Sequence, residues 1–231
     1  LPAEALNLLT GRGSDFGDAL TAHPDVAMVS FTGGARVGQA ICRSAGIKRV
    51  AMELGGNGPV IVMDDAHIEK AAAACIAGAF GAAGQNCIGV QRIYVHDAIF
   101  EGFRAALIAA TAALRVGDPM DPETDIGPMV GAAEAERIIA WTVEAVDGGA
   151  QLLAGGERAG TLVRPTLLAD VADDARIACH EAFGPVVCLF RFTNLDDAID
   201  AANRADYAIH AAIFTESLRT ARHAARRLRA A

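Results

Sequence analysis

Runs with strand spacing and runs with helix spacing alternate along almost the whole chain, and that alternation restricts the fold more than any single motif. Residues 26–31 form a short apolar run, 32–38 a glycine-punctuated turn opening a helix pattern to about Ser44, and 48–54 a second apolar run. A strand–helix–strand unit of this kind is the building block of α/β domains. The alternation continues, with strands expected over 59–63, 90–96, 151–153, 162–168, 186–192 and 208–214. Helices are expected over 15–23, 67–83, 98–114, 130–146, 194–204 and 216–229. The sequence therefore predicts an α/β fold with a mixed or parallel sheet and helices on both faces. There is no internal repeat, and the glycine cluster at 55–58 is the best candidate for a domain boundary.

Composition narrows the function classes. With 231 residues, 52% of them hydrophobic, the chain can bury a sizeable core. A formal net charge of −8 argues against a nucleic-acid surface, and the late cluster Arg226-Arg227-Leu228-Arg229 reads as a solvated helix face. Cys42, Cys75, Cys87, Cys179 and Cys188 are irregularly spaced, with no Cys-x-x-Cys and no His-x-x-x-His. That excludes a structural zinc pattern and fits the reduced thiols of a cytoplasmic protein. Residues 71–91 carry no charge, long enough to raise the question of a membrane span. The stretch is alanine-rich, broken by glycines and by Gln85, Asn86 and Gln91, so it reads as a buried helix running into a loop, with no membrane partner. The opening Leu1-Pro2 reads as the interior of a longer polypeptide.

Four local clusters could carry chemistry. Cys87 stands in a glycine-rich turn, Gly84-Gln85-Asn86-Cys87-Ile88-Gly89, between a helix pattern and a strand pattern. A thiol placed there is open to close approach by a ligand, although a lone cysteine is more often a small buried hydrophobe. Thr32–Gly38 joins a strand to a helix start through Gly33, Gly34 and Gly38, a geometry that aims backbone N–H groups at an anion. Its spacing is not the usual dinucleotide fingerprint, and an ordinary turn fits equally. Glu53 ends the apolar run Val50-Ala51-Met52, where burial is expected to raise its pKa and make it a base; an exposed strand-end acid is the plainer reading. Glu181-Ala182-Phe183-Gly184-Pro185 offers a carboxylate for hydroxyl groups and an aromatic for a flat ring, or else a simple turn.

Together these clusters resemble the aldehyde dehydrogenase superfamily. Phe31-Thr32-Gly33-Gly34-Ala35-Arg36-Val37-Gly38 is similar to its coenzyme turn, Met52-Glu53-Leu54-Gly55-Gly56 to its Glu-Leu-Gly-Gly signature, and Gly84-Gln85-Asn86-Cys87 to its Gly-Gln-x-Cys signature. Glu181-Ala182-Phe183-Gly184-Pro185 matches Glu-x-Phe-Gly-Pro, Asn203 and Tyr207 fit a later motif, and Leu1-Pro2 and His23-Pro24 fall where the family has such pairs. The resemblance covers essentially the whole chain in the family's order. It implies an aldehyde-dehydrogenase-like fold, with residues 1–55 the C-terminal part of a dinucleotide-binding domain and 56–231 the catalytic domain. It implies that Cys87 is the nucleophile and Glu53 the general base. Gly33, Gly34, Gly38 and Leu54 would lie on the coenzyme, with Glu181 on the nicotinamide ribose and Phe183 on the nicotinamide ring. The implied cofactor is NAD or NADP, NAD favoured; the implied partners are a small-molecule aldehyde and further copies of the chain in a homo-oligomer, with no metal.

Departures from the pattern are specific. Gly34 stands for the family's serine, and Ala208 for the glycine after the tyrosine. The family's asparagine oxyanion donor and adenosine-ribose contacts would precede Leu1, and its oligomerisation segment would follow Ala231. Two alternatives remain: a coenzyme-A-acylating relative, against which Glu53 counts, and a non-catalytic interaction module, against which Cys87, Glu53 and Glu181 count together.

Overall fold

A computed structural model describes residues 2–205 and 207–230. Leu1 of the Leu1-Pro2 pair, and Asp206 inside the 203–214 stretch, lie outside the described residues. Two compact units divide the chain, Leu1–Leu54 and Gly55–Ala231.

The first unit holds α1 (Gly13–Ala22), β1 (Met28–Gly33), α2 (Ala35–Ala45) and β2 (Arg49–Leu54). β1 and β2 pair in parallel from Met28↔Arg49 to Gly33↔Leu54, joined by α2 as the strand–helix–strand pattern requires. The Thr21 and Ser44 hydroxyls, 2.8 Å apart, tie α1 to α2, and the Lys48 ammonium donates to the Thr21 carbonyl at 2.8 Å.

The second unit contains β3 (Gly58–Val62), α3 (Ile68–Phe80), β4 (Val90–His96), α4 (Phe100–Ala112), α5 (Ala132–Asp147) and β5 (Gln151–Ala154). It continues with β6 (Arg158–Ala159), β7 (Leu162–Val163), β8 (Thr166–Ala169), α6 (Arg176–Cys179), β9 (Val186–Phe192), α7 (Leu195–Ala202), β10 (Ala212–Phe214) and α8 (Leu218–Arg227). Six strands form one sheet in the order β10-β3-β4-β9-β8-β5, parallel throughout except for the antiparallel pair β5 and β8. Alternate residues of the central strands face opposite sides, and both sides are covered. Val60, Val62, Ile93, Val95, Val187 and Leu189 pack with Phe80, Phe103 and Leu107 of α3 and α4. Ile61, Tyr94 and Phe192 pack with Ile199 of α7 and Ala224 of α8. Leu168, Val186 and Cys188 meet Ile138 of α5 and Ile177 of α6. Parallel strands buried on two faces need unbroken apolar runs, and all five residues of β3 are buried. Where α7 and α8 start, the Asn194 side chain accepts from the Asp196 and Asp197 N–H groups, and that of Ser217 from Thr220, satisfying donors a helix start leaves open.

The structure corrects several expected elements. The helix expected over 67–83 stops at Phe80, because Gly81 turns extended and Ala82 and Ala83 adopt left-handed backbone. The strand expected over 162–168 is two strands broken at Pro165, which has no N–H to give a ladder. Of residues 208–214 only Ala212–Phe214 pairs. The short elements β6 and α6 were not foreseen. No helix among the described residues is long and apolar enough to cross a membrane.

Candidate functional site

Because β3, β4 and β9 are neighbours and parallel, the chain enters all three at the same edge of the sheet. The entering segments are 55–57, 85–89 and 181–185. Topology alone therefore sets the Gly55-Gly56 turn, the Cys87 turn and the Glu181 motif side by side.

Cys87 is half-buried in a tight turn. The Asn86 side-chain oxygen accepts from the Ile88 N–H at 2.9 Å, and the Asn86 carbonyl from the Gly89 N–H at 3.1 Å, so one residue closes the turn twice. Gln85 anchors it from outside by accepting the Val130 N–H at 2.9 Å. The approach from α3 is strained: Ala82 and Ala83 have φ of 52° and 54°, a conformation that costs an L-residue about 1–2 kcal/mol. Gly84 follows at φ 68°, where a Cβ would lie 2.2 Å from the Gly184 carbonyl oxygen. Only glycine lets these two loops touch. Phe183, at φ 47°, stores similar strain and is 41% exposed. Three of the four non-glycine residues with positive φ among those described thus flank this edge, a placement typical of functional sites.

Glu181 leans over the glycine turn. Its Oε1 accepts the Gly56 N–H at 2.9 Å, and a Cβ on Gly55 would lie 1.9 Å from Oε2. A Cβ on Gly56 would lie 3.4 Å from the Cys87 carbonyl oxygen. One Gly-Gly turn thus bears the Glu181 carboxylate and the Cys87 turn together. Burial pushes the Glu181 carboxyl above its ordinary value, against the weaker opposing pull of the Gly56 N–H and the Arg137 guanidinium. Cys75 and Cys188 are buried with their thiols pushed up to about 12, so they are inert packing residues beside the accessible Cys87.

The remaining residues belong to the first unit. Gly33 ends β1. Gly34 is the N-cap of α2 and presents no side chain there; nothing lies within 4 Å of where a Cβ would sit. The Val37 and Gly38 N–H groups donate to the Gly34 carbonyl, and the earlier N–H groups of this eleven-residue helix are those a helix start leaves for an anion such as phosphate. Gly38 is buried, and a Cβ there would meet the Leu54 side chain at 2.6 Å, so this glycine sets how closely α2 packs on β2. Glu53 is exposed, which corrects the burial expected from its apolar neighbours. Side chains alternate along a strand, and with Leu54 turned toward α2, Glu53 takes the other face of a two-stranded sheet.

Missing from the sequence reading were the polar residues that hold this edge together. Asn57, Gln91 and Arg92 are all buried, and their signal was a Gln-Arg pair at the head of an otherwise apolar strand.

The aldehyde dehydrogenase family profile matches residues 1–231. Aspartate-semialdehyde dehydrogenase 1 of Pseudomonas canavaninivorans is 47% identical over 230 residues, covering 100% of this chain and 49% of that protein. Among solved structures, the NADP-dependent glyceraldehyde-3-phosphate dehydrogenase from Bacillus halodurans C-125, complexed with NADP, superposes with a TM-score of 0.94 at 37% identity, over 96% of this chain and 47% of that one. The NAD-dependent aldehyde dehydrogenase from Sinorhizobium meliloti gives 0.93 at 37% identity, over 96% and 45%. The chain spans about half the length of the relatives it matches. With the profile matched from end to end and the Cys87, Gly55-Gly56 and Glu181 segments meeting at one edge of the sheet, this chain belongs to the aldehyde dehydrogenase family.

Proposed function

We propose that this chain carries the nucleophile and part of the coenzyme site of an enzyme that oxidises an aldehyde to a carboxylic acid with a nicotinamide dinucleotide. The observation that carries the reading is the Gly55-Gly56 turn, in contact with both the Glu181 carboxylate and the Cys87 turn. Residues 1–55 are read as the end of the dinucleotide-binding domain and 56–231 as the catalytic domain. The Cys87 thiolate adds to the carbonyl carbon, whose π electrons move onto oxygen; the backbone N–H at Cys87 is a donor available to that alkoxide. Return of the electron pair re-forms the C=O bond and expels hydride, leaving a thioester on Cys87. When bound, the nicotinamide ring accepts that hydride. Glu53, exposed to solvent, takes a proton from water, the resulting hydroxide equivalent attacks the thioester, and Cys87 leaves as thiolate. The start of α2 at Gly34 would hold the pyrophosphate, with Gly38 and Leu54 keeping that helix against its strand, and Glu181 would accept ribose hydroxyls while Phe183 would pack on the nicotinamide ring. NAD is favoured over NADP as the coenzyme. The exposed Ile88 beside Asn86 favours a small or aliphatic aldehyde. Five free cysteines support a reducing compartment, the cytoplasm, and the family resemblance favours a homo-oligomer.

The test is a panel of aldehydes against the complete gene product with NAD and with NADP, following reduced coenzyme. Turnover of at least one aldehyde is expected, and Cys87→Ser should lower it by roughly 10⁴-fold or more. Turnover retained in Cys87→Ser would overturn the nucleophile assignment; reduced coenzyme formed only when coenzyme A is added would make the protein an acylating relative.

A further inference from the structure

Gln91 is 6% exposed near the start of β4. Its side-chain oxygen accepts the Ala182 N–H at 2.9 Å, while its nitrogen donates to the His180 carbonyl at 2.6 Å and the Ile177 carbonyl at 3.2 Å. The acceptor must meet the N–H and the donors the carbonyls, so the amide has one orientation. Two of its three partners are the residues immediately before and after Glu181. A neighbouring network supports the same segment. Asn57 donates to the Ala178 carbonyl at 2.7 Å. Arg92, 3% exposed, donates to the Asn57 side-chain and backbone oxygens, each at 2.9 Å, to the Tyr94 hydroxyl, and to the Ala201 and Ala202 carbonyls at the end of α7. Its charge is held by a helix C-terminus and neutral acceptors, a favourable end for a cation.

A buried amide is an expensive way to fill space in a strand whose first six residues are buried; an apolar residue would pack there with less desolvation. What Gln91 does that an apolar residue would not is fix the peptide groups on both sides of Glu181. We infer that Gln91 is a positioning residue: by clamping residues 180 and 182 it sets where the Glu181 carboxylate stands over the Gly55-Gly56 turn, and through it the affinity for coenzyme. The coenzyme arm rests on the function proposed above; the positioning arm does not.

Gln91→Met keeps the length and removes all three hydrogen bonds, and Gln91→Glu keeps the acceptor for the Ala182 N–H while setting a carboxylate against two carbonyls. In the complete gene product, residue-resolved hydrogen exchange reads the Gly56 amide, which donates to Glu181 and not to Gln91. Coenzyme titration reads affinity, and the rate of Cys87 alkylation by iodoacetamide, followed on its peptide, reports the neighbouring turn. For Gln91→Met we expect Gly56 exchange and the coenzyme Kd each to rise by about tenfold, with Cys87 alkylation changed by less than about twofold. A merely structural role would slow or speed all three together, or none. Should Gln91→Met fail to fold, the same readouts on Gln91→Glu decide. Unchanged Gly56 exchange in a folded variant overturns the positioning role. If the unsubstituted protein binds neither coenzyme, the proposed function and the coenzyme arm both fall, while Gly56 exchange still judges the clamp.

Discussion

Glu181 feels burial raising its pKa and the Gly56 N–H and Arg137 lowering it, with burial the larger. The folded protein therefore holds this proton to a higher pH than the unfolded chain does. Stability contributed at this site is present below the ordinary carboxylate value of 4.5 and falls as pH rises through the raised one. On the proposed coenzyme role function runs the other way, because the ionised carboxylate is acceptor-only and so the better partner for two ribose hydroxyls. Coenzyme KM should therefore increase as pH falls through the acid range, starting above the pH at which an ordinary glutamate would matter. Glu181→Gln should show a raised KM with that acid limb removed; an acid limb unchanged in the variant would assign it to another group. At this scale the Cys87 and Glu181 motifs are legible because each is short and contiguous, and the structure sets both on the Gly55-Gly56 turn. The burial expected of Glu53 is overturned, because its exposure depends on which face of its strand is covered. Gln91 is not legible, because its partner Ala182 lies 91 residues further along the chain.

Elements built from a continuous apolar run were legible almost to the residue: β4 and β9 occupy the expected 90–96 and 186–192. Elements ended by a tertiary contact were not. Gly81 at the C-cap is a local stop signal, but the alanines Ala82 and Ala83 after it favour helix and so blur it. The helix stops because Gly84 must reach the Gly184–Pro185 backbone, and two alanines are bent into left-handed geometry to get it there. Gly84→Ala puts a methyl group into that contact at an unfavourable φ. It should cost about 1–3 kcal/mol in urea unfolding, and it should also slow Cys87 alkylation in the folded protein. A cost below about 0.5 kcal/mol would mean that the two loops do not touch as described.

For the whole molecule, alternation of strand and helix runs was enough to give the α/β class and the covered parallel sheet, since both follow from periodicity. Strand order was beyond it, and strand order makes the site. In open α/β sheets ligands usually sit outside the carboxyl ends of the strands. Here Cys87, Gly56 and Glu181 gather where β3, β4 and β9 begin. The opposite edge, where those strands end at Val62, His96 and Phe192, is left with short turns such as Asp64-Asp65. Asp65 accepts the Thr215 hydroxyl at 3.0 Å and the Glu216 N–H at 3.1 Å, so a short glycine–serine insertion between Asp64 and Asp65 should lower stability by about 1–3 kcal/mol yet leave both coenzyme affinity and Cys87 alkylation as they were; loss of either would show that the two edges are coupled. On the proposed function the chemistry occupies one rim of this sheet, so additions at the other rim are read out in stability, through contacts such as those of Asp65, and not in the reaction.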